Sequence, residues 1–231
     1  MPNILDFEMF VNEQKKSSDH VENAPIRIFC DMDGVLTDFK RGFKRLKANK
    51  NHRTPDEYES KHGKNSIWPL VDHRKEKFWK RLPWTKDGRE LWDYLSRYTP
   101  YILSAPSRSN YSIDGKLEWL SLNLGINQKK PITSFEEHEA DPEKRVILSK
   151  DKETFVRDKN DVLIDDKDSN IKKWTEAGGT GILHNDSTDT IRLIEEIISD
   201  LQGGFDEDPN DESEEETDSN PNPEPETQEG P

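Results

Sequence analysis

The sequence predicts an α/β fold, a parallel sheet with helices on both faces and a mostly helical insertion after the first strand. Short apolar runs alternate with stretches whose apolar residues recur every three or four positions, the pattern of strands joined by helices. Two of those runs end in paired Asp residues. A Lys- and Arg-rich segment interrupts the alternation once.

Each element can be argued in order. Residues 1–24 are polar around one apolar patch (Ile4, Leu5, Phe7, Met9, Phe10, Val11) and read as a short helix or loose arm. Ile26-Arg-Ile-Phe-Cys30 is a compact run ending at Asp31, the pattern of a buried strand. Residues 40–83 carry the basic stretch and then Trp68, Phe78 and Trp79, with Trp84 directly after. They read as the insertion. Further strands are expected at Tyr101–Leu103, Val146–Leu148, Val162–Ile164 and Thr180–Leu183. Helical spacing marks Leu91 and Leu95, then Ile113, Leu117, Leu120 and Leu124, then the region of Ile171 and Trp174. Ile191, Ile194, Ile198 and Leu201 form a last stripe, closed by Gly203 and Gly204. The core is thus assigned to 25–39 and 84–204. Residues 205–231 join acid to Pro, Asn and Ser and read as a disordered tail, too polar to offset chain entropy.

Charge narrows the function. The formal net charge is −14 over 231 residues, but positions 206–231 hold twelve acidic residues and no Lys or Arg. Without them the balance is about −2, too little positive charge overall to favour long nucleic acid. The single cysteine, Cys30, excludes an internal disulfide and suits a reducing, cytoplasmic setting. No apolar run is long enough to cross a bilayer, and the N-terminus has no apolar secretion core, so no membrane partner is expected.

The chemistry gathers at strand ends. In an open parallel sheet, ligands bind beyond the C-terminal ends of the strands. Asp31 and Asp33 fall there, two residues apart, with side chains leaning the same way. Asp165 and Asp166 end the run Val162-Leu163-Ile164. One Asp after a strand is usually a turn or a cap. Two pairs crowded together call for a hard divalent cation with oxygen ligands. Gly34 lets the backbone turn away at once.

The segments DMDGVLTDF at 31–39, ILSAP at 102–106 and VLIDD at 162–166, with a lysine between the last two, resemble the haloacid dehalogenase superfamily of phosphatases. The first segment, Lys116-Leu-Glu-Trp119 and the LIDD ending are closest to its 5'(3')-deoxyribonucleotidase branch. The resemblance implies a Rossmann-like core, with residues 40–83 as a cap over the site. It implies Asp31 as nucleophile, Asp33 as general acid and base, and Ser104 as hydroxyl donor to phosphate. It implies Mg2+ held by the Asp31 carboxylate, the Asp33 carbonyl and a carboxylate of the second pair, Asp166 in preference to Asp165. A lysine would neutralise the phosphate. Lys152 fits best, with Lys150 the alternative, although a lysine in so charged a stretch is ordinarily a surface group.

The resemblance further implies that Phe39 and cap aromatics, Phe78 or Trp79, stack on a nucleobase. Packing is the competing role for such residues and the expected one for Trp68 and Trp84. The expected activity is therefore 5'-nucleotidase-like hydrolysis of (deoxy)ribonucleoside monophosphates. Other small phosphate esters, or 3'-phosphate ends of polynucleotides, are the alternative. A binding protein on the same fold is the remaining one. The histidines show no metal-ligand spacing. Homodimerisation and a basic partner for the acidic tail are left open by the sequence.

Overall fold

The computed structural model describes residues 26–203. The N-terminal arm and the acidic tail lie outside that range. Five strands form one parallel sheet: β1 (Arg27–Cys30), β2 (Tyr101–Ser104), β3 (Val146–Leu148), β4 (Asp161–Asp165) and β5 (Thr180–Leu183). Their spatial order is β3-β2-β1-β4-β5. The first strand is therefore central, and the order reverses beside it. Cys30 pairs in register with Ile102 on one side and Ile164 on the other, so the loops after β1, β2 and β4 leave the sheet together.

Alternation along the strands divides the core between the two faces. Ile28, Cys30, Ile102, Val162 and Ile164 belong to one apolar cluster. Phe29, Leu103, Ile147 and Leu163 belong to another, with Trp174 and Phe155. Both faces are thus covered, as a parallel sheet requires. Helices α5 (Gly88–Leu95), α6 (Tyr111–Leu124) and α9 (Ser187–Gly203) contribute to the first cluster, and α8 (Asp168–Glu176) to the second. Trp174 of α8 packs against Phe29 at 5.1 Å, and its indole N–H donates to the Asp161 carbonyl at 2.9 Å.

Between β1 and α5 lies the expected helical segment. It comprises α1 (Phe39–Lys44), α2 (Pro55–His62), α3 (Trp68–Asp72) and α4 (Glu76–Trp79). Local chemistry sets its boundaries. Asp38 caps α1 by accepting from the Arg41 amide, and Thr54 with Glu57 forms a capping box around Pro55 at the start of α2. The segment leaves and returns at one place, because Thr37 bridges to Trp84 and the Asp38 amide donates to the Pro83 carbonyl. Helix α4 rests on α6.

One further short helix, α7 (Phe135–Ala140), was not apparent from periodicity. Six residues with one buried position give no stripe; Ser134 starts it by accepting from the Glu137 amide. No helix among the described residues is long and apolar enough to cross a membrane.

Candidate active site

Beyond the C-terminal ends of β1, β2 and β4 lies a cavity of about 670 Å³. Asp31, Asp33, Ser104, Lys152 and Asp166 all line it. They come from four separate stretches of sequence, brought together by the strand order.

Asp31 is buried where β1 stops. Its carboxylate pairs with Lys152 Nζ at 2.9 Å. Burial opposes the charge, but the ammonium groups of Lys152 and Lys116 overcome it and hold the carboxyl below its ordinary range. Lys152 sits on a short 3-10 turn, Lys152–Phe155, that buries it against the sheet end. Burial disfavours its charge, and the carboxylates of Asp31 and Asp165 more than restore it, so the ammonium form persists. Of the two lysines considered, Lys152 touches Asp31, while Lys150 lines the cavity wall.

The second acidic pair divides its work. Asp165 is fully buried and its oxygens are in use: Oδ2 accepts from Lys152 at 2.5 Å and Asn170 at 2.8 Å, and Oδ1 from the Lys167 amide at 2.9 Å. Asp166 is open to the cavity and carries the weaker compensation. Partial loss of water at the cleft floor, then the charges of Asp31 and Asp165, push its pKa up to about 6. Its carboxylate lies over Gly34, where φ is +98° and any Cβ would collide with it. Glycine is thus required twice at that position, for backbone angle and for space.

Asp31, Asp165 and Asp166 each offer an oxygen within 4.8 Å of the others. Three convergent carboxylates, one of them raised in pKa, fit a hard divalent cation such as Mg2+. The Asp33 carboxylate is outside this group. Its Oδ1 accepts from the Thr37 hydroxyl at 2.9 Å and its Oδ2 pairs with Lys116 Nζ at 2.6 Å. If Asp33 takes part in holding a metal, the main-chain carbonyl is the group left for it.

Lys116 is the participant that sequence reasoning passed over. It is fully buried on α6 and spends its three protons on Asp33 Oδ2, Ser104 Oγ (2.9 Å) and the Ala105 carbonyl (2.8 Å). Ser104 therefore accepts from Lys116, which leaves its own O–H for a ligand. The sequence held a signal. Lys116 lies three residues after Ile113 and four before Leu120, inside the apolar stripe of its helix, where an unpaired lysine is not tolerated.

The aromatic expectations are sorted by the same cavity. Phe39 and Trp79 line it, and so does Trp68, which also packs on Phe39 as expected, ring centroids 6.2 Å apart. Phe78 does not. It is buried behind Phe39, ring centroids 5.3 Å apart, so its expected place on a substrate is corrected to a supporting one. The cause is α4, whose consecutive residues 78 and 79 point about 100° apart. Trp84 packs on Trp119 at 4.8 Å, as expected. Cys30 is buried and its thiol is pushed up by burial, consistent with a strand residue and not a reactive one.

No protein-family model matches the chain, and no curated protein does. Solved structures align across most of it at low identity. A hydrolase from Streptococcus pneumoniae TIGR4 is 10% identical, over 73% of this chain and 97% of that one, with a TM-score of 0.43. A HAD-superfamily hydrolase from Ehrlichia chaffeensis is 14% identical, over 74% and 97%, with a TM-score of 0.39. A HAD family hydrolase from Deinococcus radiodurans R1 is 14% identical, over 74% and 89%, with a TM-score of 0.36. Likeness at this level leaves the chemistry to the site's own geometry.

Proposed function

We propose that this chain is a magnesium-dependent phosphomonoester hydrolase of the haloacid dehalogenase type, acting on nucleoside monophosphates. The observation that carries the reading is the convergence of Asp31, Asp165, Asp166 and Lys152 at one sheet rim.

The residues divide the reaction as follows. A carboxylate oxygen of Asp31, kept ionised by Lys152, attacks phosphorus, and the ester P–O bond breaks. Asp33 gives its proton to the departing oxygen. In the second half a water gives a proton back to Asp33 and attacks phosphorus, which frees phosphate and restores the Asp31 carboxylate. Ser104 and Lys152 bind the phosphoryl oxygens throughout. Mg2+, held by Asp31, Asp166 and the Asp33 carbonyl, supplies charge neutralisation between phosphate and carboxylates when bound.

The nucleotide assignment is supported by the cavity's aromatic lining. Phe39, Trp68 and Trp79 line the same cavity as the carboxylates, on the helical segment read as a cap. Stacking a base on such a ring contributes roughly 1–3 kcal/mol. Phosphate release settles the matter. The protein is offered nucleoside monophosphates, sugar phosphates and 3'-phosphorylated oligonucleotides, with Mg2+ and with chelator. Turnover of monophosphates that chelator abolishes is the expected result. Preference for a sugar phosphate or an oligonucleotide end would keep the reaction and replace the substrate. No turnover of any of them would leave a binding protein.

A further inference from the structure

The average charge of the fold conceals a division. Residues 40–83 hold fourteen Lys and Arg against five Asp and Glu, a net charge of +9. The other described residues hold eighteen against twenty-six, a net charge of −8. The positive charge is also concentrated. A second cleft, of about 230 Å³, is bordered by the C-terminal part of α1 and shares no lining residue with the catalytic cavity. Its floor is Gly42, Leu46 and Phe78, and its walls are Arg45, Lys47, Arg74, Lys77 and Arg81. All five cations are exposed, no carboxylate lines the cleft, and none of the five forms an ion pair among the described residues. Like charges so close raise each other's energy, and an anionic occupant relieves that repulsion.

We infer that the cleft is the docking site of this chain's own acidic C-terminal segment, residues 206–231. Charge complementarity selects it, for the segment carries twelve carboxylates and no cation. Tethering favours it over any free polyanion, because a linked partner acts at an effective concentration in the millimolar range. Reach allows it. The chain after Gly203 extends up to roughly 90 Å, against a domain of this size with a radius of gyration of about 16 Å. Docking there bears on the catalytic cavity through Phe78, which floors the cleft and packs on Phe39 of the cavity wall. The occupied cleft holds α1 and α4 together and stiffens that wall.

Zero-length carbodiimide cross-linking of the full chain at low salt, followed by peptide mapping, tests the inference without reference to activity. Lys47 and Lys77 are expected to join carboxylates of 206–229 in preference to Lys172 and Lys173 on the core. The links are expected within single chains when isotopically light and heavy protein are mixed, and to fade at high salt. Links that form only between chains, or that fall evenly on all surface lysines, would overturn it. A labelled single-stranded 20-mer supplies the second arm. It is expected to bind the full chain at least about tenfold more weakly than a chain with the twelve carboxylates replaced by amides. Equal binding by the two, lost in R45E/K77E, would make a polynucleotide the occupant and contradict the inference.

Discussion

Lys116 holds Asp33 and Ser104, the proposed acid and phosphate-binding groups, at a fixed distance. It bonds Asp33 from the loop after β1 and Ser104 from the end of β2, and it lies 5.6 Å from the Trp79 ring centroid. A buried ammonium with all three protons used is rigid, so its partners are too. Replacing it with Met keeps the length and removes the donors. Lys116→Met is expected to lower turnover at least about a hundredfold, with the far-ultraviolet spectrum unchanged. Wild-type turnover in that variant would reduce Lys116 to a packing residue. The same scale shows why the site was only partly legible. Asp31, Asp33, Asp165 and Asp166 stand at strand ends, where position along the chain implies position in space. Lys116 stands in a helix, and which strand end it meets depends on how α6 crosses the sheet.

At the scale of elements, the contact that seats the helical segment is α4 against α6. Gly115 permits it. A Cβ there would stand 2.5 Å from Trp79 Cβ and 2.6 Å from the Glu76 carbonyl. Gly115→Ala is therefore expected to push α4 outward and to cost about 1–3 kcal/mol in denaturant unfolding, although alanine is the better helix former. A gain in stability would mean that α4 does not rest on that face. The sheet and its long helices were readable because burial imposes a period of two or of three to four over several residues. Helix α7 was not, because six residues, half of them acidic, start from a cap and carry no period. The different fates of Phe78 and Trp79 were equally hidden, since both are aromatic and only the phase of a four-residue helix separates them.

At the scale of the molecule, the cluster on the second face of the sheet encloses a titratable group. His138 is fully buried among Phe29, Tyr101 and Phe155, and neither ring nitrogen has a hydrogen-bond partner. Burial, then the charges of Arg27 and Arg157, push its pKa down from 6.5 to about 4. Between those values the unfolded chain binds a proton that the fold refuses. Stability is therefore unaffected by His138 above about pH 6.5 and falls as pH drops towards 4, by up to about 3 kcal/mol. In His138→Leu this part of the decline is expected to vanish from the pH dependence of unfolding. An unchanged slope would place the loss elsewhere. Charge is the second property of the whole molecule, and here the sequence average misled. Near-neutrality described no part of a fold whose helical segment is +9 and whose remainder is −8.

The proposed function rests on Asp31 acting as a nucleophile beside Lys152 and two further carboxylates. Rapid acid quench during turnover of a nucleoside monophosphate with Mg2+, followed by peptide mass spectrometry, reads this directly. The peptide bearing Asp31 is expected to gain the mass of one phosphoryl group, and the Asp31→Asn protein to show neither that gain nor phosphate release. Phosphate release with an unmodified Asp31 peptide, or from the Asp31→Asn protein at the parent rate, would contradict it.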